Sequence, residues 1–142
     1  MESAADLPAA LDRRLASLWR AVGRGGYADL SRTASSVLAA LRDGGPQRVT
    51  ALAAAEGVAQ PTMTNLVVRL ERRGLVERGS DPADARAVRV AITDQGRERL
   101  EARREARVAV LAERLQALDA GEREALLAAL PVLDKLTEGS TP

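Results

Sequence analysis

The sequence contains no cysteine, no histidine and no phenylalanine. Without thiolates and imidazoles, the usual ligands of zinc, copper and haem sites are missing. Cysteine nucleophiles, thiol redox switches and histidine acid–base chemistry are excluded with them. Carboxylates are plentiful, but none forms a recognisable catalytic pair, and there is no glycine-rich phosphate loop. These gaps argue against an enzyme and call for no metal and no cofactor. Aromatic residues are nearly absent too, limited to Trp19 and Tyr27. The core must therefore be built from Leu, Val and Ala, which suit closely packed helices. Long hydrophobic runs are missing as well. The opening "MESAADLPAALDRR" carries early acids and no sustained apolar stretch, so it does not read as a secretory signal. No segment is long enough to cross a bilayer, which excludes a membrane partner and points to the cytoplasm. Lysine is reduced to Lys135, and 21 basic residues against 20 acidic ones leave a formal charge of only +1. That balance is too small to identify a nucleic-acid partner, so the placement of the arginines has to decide.

What is present is mostly helical periodicity. The 142 residues suffice for one compact domain with an oligomerisation arm. Leu7, Leu11, Leu15, Leu18 and Val22 recur at steps of four and three, one face of a helix that ends near Gly23, Gly25 and Gly26. Ser31 is placed to cap a second helix, with Ala34, Val37, Leu38 and Leu41 inward, and "DGGP" at 43–46 breaks it. Thr50 is expected to cap a short helix closed by Gly57. A further helix starts at Gln60–Pro61, where proline suits a first turn, and runs to Gly74. Two short β-branched runs, from Leu75 and from Val88, predict a hairpin. Thr93 then caps a long helix to about Leu118. Asp119 with Glu122 forms a capping box for the last helix, inside which Pro131 should introduce a kink.

The segment "VTALAAAEGVAQPTMTNLVVRLERRG" reads as two helices joined by a glycine turn, a helix-turn-helix candidate. At about 3.6 residues per turn, Met63, Leu66, Val67 and Leu70 fall on one side of its second helix. Pro61, Thr62, Asn65, Val68, Arg69 and Arg72 fall on the other. Hydrogen-bonding groups come first and arginines later, which suits a helix entering the major groove by its N-terminal end. Asn65 can pair with adenine, Thr62 can bond several bases and Val68 can touch a thymine methyl. Arg69, Arg72 and Arg73 then lie near phosphates, which supply affinity without sequence information. Gln60 and Thr64 complete the candidate DNA-binding set.

The hairpin follows this helix directly and reads as a wing. Its strand residues Val76, Val88 and Val90 are expected to pack on the helices, while Arg86 at the tip reaches an adjacent minor groove. Asp81 and Asp84, paradoxical beside a polyanion, are expected to support the wing from within, together with Arg89.

These residues carry a specific resemblance. "VTALAAAEGVAQPTMTNLVVRLERRGLVER", followed by "DPADARAVRVAITDQG", resembles the MarR family of winged-helix transcription regulators. Asp81, Pro82, Asp84 and Arg86 match that family's D-P-x-D-x-R wing tip, and Thr93 and Gly96 its T-x-x-G helix start. Ala59, Asn65 and Ala85 depart from residues common at those positions. The resemblance implies a single, mainly α domain over residues 1–142: about six helices and a two-stranded hairpin wing. The winged helix-turn-helix lobe spans about 31–93, and dimerisation helices span about 6–30 and 94–138.

Leu100, Val108, Leu111, Leu115 and Leu118, with Leu126, Leu127, Leu130, Leu133 and Leu136, offer more apolar surface than a compact winged helix needs. A homodimer on double-stranded DNA is therefore expected, with a pseudopalindromic operator. The family resemblance further implies a small aromatic or anionic effector near Trp19, Arg20, Tyr27 and Leu30, whose binding releases a repressor. Two other readings remain open at this point: a winged-helix protein-interaction module, and a DNA binder that needs no ligand.

Overall fold

In a computed structural model, residues 6–23 and 30–138 of the chain are described. Helix α1 (Leu7–Gly23) is followed by α2 (Arg32–Gly44), a two-residue strand β1 (Gln47–Arg48), α3 (Val49–Glu56) and α4 (Gln60–Arg72). Strands β2 (Val76–Asp81) and β3 (Asp84–Ile92) come next, then α5 (Asp94–Leu115) and α6 (Ala120–Glu138).

The local signals act as the physical chemistry requires. The Ala34 N–H donates to Ser31 Oγ at 3.1 Å, satisfying one of the amides a helix start leaves without a partner. Asp119 and Glu122 cap each other's backbone amides at 2.8 and 2.9 Å, a complete capping box at the start of α6. Gly57 takes a left-handed φ of 64° after α3, which a side chain would resist. At the start of α5 the Gly96 N–H donates to Thr93 Oγ1 at 3.0 Å, while that hydroxyl donates to the Gly74 carbonyl at 2.6 Å. A β-carbon on Gly96 would stand 2.1 Å from the Leu75 carbonyl oxygen. The T-x-x-G spacing therefore pins α5 directly against the link between α4 and β2.

The core lies between α2, α3, α4 and the sheet. Val37, Leu38, Leu41, Leu52, Met63, Leu70, Val76 and Val90 are fully enclosed there. The sheet is antiparallel in the order β1-β3-β2, with Val76 opposite Ile92, Arg78 opposite Val90, and Arg48 opposite Arg89.

Four details depart from the sequence reading. The hairpin gains a third strand, β1, too short to show any alternation. Because that pairing fixes the chain through Arg48, α3 begins at Val49 with no side-chain cap, and Thr50 already lies inside the helix. Val88 is 48% exposed rather than packed on the helices, because β3 has run past the helical core by that residue. Finally, α5 ends at Leu115, and residues 116–118 form a turn; the carbonyls of Leu115, Gln116 and Leu118 accept bonds from the Arg123 guanidinium. Pro131 sits inside α6 without ending it.

Candidate nucleic-acid interface

Helix α4 is fixed by its inner face. Met63, Leu66, Val67 and Leu70 are buried at helical spacing, which turns the opposite face outward. Gln60, Pro61, Thr62, Thr64, Asn65, Arg69, Arg72 and Arg73 are all exposed, and Val68 is half-buried. The Thr64 hydroxyl donates back to the Gln60 carbonyl at 3.0 Å. Glu71 accepts from Arg78 Nη2 at 2.6 Å, tying the end of α4 to the base of the wing.

The wing turns on two residues, Pro82 and Ala83, with Asp81 and Asp84 facing each other and a register shift at Ser80–Asp81. Its acids have distinct environments. Asp84 is exposed and accepts the Arg86 backbone N–H at 3.0 Å. Asp81 is buried: one carboxylate oxygen accepts the Ala83 N–H at 2.8 Å and the other accepts Arg48 Nε at 2.7 Å. The Ala83 amide, followed by the Arg48 guanidinium and more distantly Arg89, holds the Asp81 carboxyl below the usual carboxylate range. Arg86 is exposed. Because side chains alternate along a strand, Val88 and Val90 share a face of β3, while Arg86 lies in the stretch 85–87 that the register shift leaves without a strand partner. That same face is covered by helices at Val90 and open at Val88.

Arg48 escaped the sequence reading, and no local signal could have found it. It lies 33 residues from Asp81, and only the sheet brings the two together. A groove of about 320 Å³ runs beside it, lined by Arg48, Thr50, Gln60, Thr64, Ala87 and Val88 among others, between the start of α4 and the wing.

The residues expected to hold an effector do not all converge. Trp19 lines an open hollow of about 580 Å³ with Arg32, Thr33, Ser36 and Glu56. The guanidinium carbons of Arg32 and Arg107 lie 5.6 and 5.5 Å from its ring centroid, within cation–π range. Arg20 instead donates to Ser17 Oγ at 3.1 Å on its own helix. Leu30 is a core residue, 3% exposed, and Tyr27 lies outside the described residues. Arg32 and Arg107 were not singled out from sequence because each looks like one more charge on a solvated helix.

Comparison with known proteins agrees with this geometry. Residues 30–88 match the model of the MarR family. The HTH-type transcriptional regulator MT0903.1 of Mycobacterium tuberculosis is 37% identical over 105 residues, covering 74% of this chain and 73% of that protein. The HTH-type transcriptional repressor NicR of Pseudomonas putida is 39% identical over 90 residues, covering 63% and 57% respectively. The crystal structure of transcriptional regulator Tm0710 from Thermotoga maritima superposes with a TM-score of 0.73 at 29% identity, covering 90% of this chain and 94% of that one. Bordetella bronchiseptica BpsR, whose structure is described as revealing how 6-hydroxynicotinic acid regulates its DNA binding, superposes at 0.61 with 25% identity, covering 91% and 98%. The buried face that orients α4, the wing beside it and these relatives lead to one conclusion: the chain belongs to the MarR family, DNA-binding transcription regulators built on a winged helix-turn-helix, and is not an enzyme.

Proposed function

We propose that this protein is a homodimeric repressor that binds a pseudopalindromic operator in the cytoplasm and is released by a small aromatic or anionic effector. The observation that carries the DNA half of this reading is the exposed row Thr62, Asn65 and Arg69 on α4, beside a ribbon exposed at both Val88 and Arg86. Asn65 offers the bidentate donor–acceptor pair that matches adenine. Arg69, Arg72 and Arg73 follow one to two turns later, where phosphates would lie. Asp81, Asp84 and Arg89 serve the wing's shape rather than the DNA.

Dimerisation is supported by what the single chain leaves uncovered. None of the residues of the 19-residue helix α6 is buried. Leu126, Leu127, Leu130, Leu133 and Leu136 on α6, with Leu7, Leu15 and Leu18 on α1, expose 39–66% of their surface. A second copy covering that face would also supply the second recognition helix that a short half-site requires. The relative NicR is itself named a repressor. For the effector, a tryptophan with arginines over its ring suits an aromatic acid, the chemical class of the compound that regulates BpsR. Such a ligand must favour a dimer geometry that mismatches the operator, since equal affinity for both states shifts nothing.

Binding to the DNA flanking its own gene, titrated by fluorescence anisotropy, tests the reading. Asn65→Ala should cost roughly 1–3 kcal/mol at one base position per half-site. Arg69→Ala should instead weaken operator and random duplex alike. Two variants that bind like wild type on a footprinted operator would mean that α4 does not face the DNA.

A further inference from the structure

The groove between α4 and the wing has a chemistry of its own. A helix seated in the major groove and a ribbon tip in the adjacent minor groove must have a sugar–phosphate strand between them, because that strand is the wall separating the two grooves. It has to cross the protein where Gln60 and Thr64 on one side approach Ala87 and Val88 on the other. The cation there is Arg48, and no acidic residue lines this groove among the described residues. Arg48 is 46% exposed, while its partner Asp81 is 6% exposed. Asp81 takes the Nε–H at 2.7 Å, and a guanidinium carries five N–H donors, so the four on the terminal nitrogens remain for another anion. The buried carboxylate also fixes the guanidinium's position, which reduces the ordering that binding would otherwise cost.

We propose that this groove is a binding site for one backbone phosphate of the strand separating the two DNA grooves, with Arg48 as its cation and Asp81 as the positioning residue behind it. The proposal rests on the reading that α4 and the wing straddle DNA. It adds a phosphate ligand that neither the helix-turn-helix nor the wing tip supplies, drawn from the short strand β1 beside them. Such a phosphate carries no sequence information and serves to fix register.

The test uses the full chain and the operator duplex, with affinity measured across a range of salt. Arg48→Ala should lower the magnitude of the slope of log K against log salt by about one per bound half-site. It should also weaken operator and random duplexes equally, by roughly tenfold at physiological salt for each phosphate that Arg48 would have neutralised. A single methylphosphonate replacing the bridging phosphate should weaken the wild type and add nothing further to Arg48→Ala. Should Arg48→Ala lose its fold, a methylphosphonate scan with the wild-type protein still decides, and a sharp loss of affinity at the bridging position is expected. An unchanged salt slope in a folded Arg48→Ala, or a wild type indifferent to the neutralised bridging phosphate, overturns the proposal alone. A wild type that binds no DNA at all overturns the reading beneath it.

Discussion

Asp81 is the buried acid of the wing, and its environment sets a pH dependence. The Ala83 amide and the Arg48 guanidinium both favour the charged carboxylate, and together they outweigh the desolvation that opposes it. The folded-state pKa therefore lies below that of the unfolded chain, near ~3.9 for an ordinary aspartate. The stabilisation is fully present above that ordinary value and is lost as pH falls through the depressed one. Asp81→Asn should accordingly be less stable than wild type near neutral pH, and the difference should close on acidification below about pH 4. Urea denaturation of both proteins at neutral and acid pH reads it, and a difference that persists undiminished in acid would contradict the assignment. The sequence showed Asp81 as an acid out of place near a polyanion and suggested an internal role. It did not show the partner, because an ion pair across 33 residues is set by strand register, which charge pattern alone does not encode.

At the scale of elements, what was legible was what is local. Ser31, Thr93 and the Asp119–Glu122 pair act within three residues of themselves, so their role is written in consecutive letters. The same holds for the three-four spacing that turned Met63, Leu66, Val67 and Leu70 inward. Strand β1 was invisible because two residues carry no periodicity, and the start of α3 moved for the same reason: a sheet partner, not a cap, positions it. Val88 misled because alternation identifies a face without saying how far the covering layer extends. Helix α4 illustrates a local deficit with a measurable consequence. Ala59 sits at its N-cap with no side-chain bond. Pro61, the second helical residue, has no N–H to offer, so a serine at 59 would accept from the Thr62 amide. Ala59→Ser should therefore stabilise the protein by about 0.5–2 kcal/mol in chemical denaturation. No gain would show that these first amides are already satisfied by solvent or neighbours.

The whole molecule presents a well-filled core in the winged-helix lobe and helices α1 and α6 that hide little of their apolar surface. Of the apolar residues expected from sequence to be surplus, Val108, Leu115 and the α6 leucines are exposed, whereas Leu100 is buried in the core. From α1, Ala10 and Val22 are the residues buried within the chain, while Leu7, Leu15 and Leu18 stay exposed. An apolar face of this extent marks a site of association; on the proposed reading a second copy covers it and so joins two recognition helices into one reader. Leu127, 66% exposed on α6, is a suitable probe because it lies outside the buried core of the chain. Leu127→Glu should shift sedimentation toward monomer and reduce operator affinity by roughly a hundredfold or more, as the second linked half-site is given up. An unchanged sedimentation coefficient would place the interface elsewhere. Whether a two-fold pair of α4 helices and wings reads DNA from one side is decided by a hydroxyl-radical footprint on the DNA flanking the gene. Two protected half-sites of related sequence are expected on one face of the duplex, about one helical turn apart centre to centre. A single unrepeated patch of protection, or none, would contradict the two-fold arrangement.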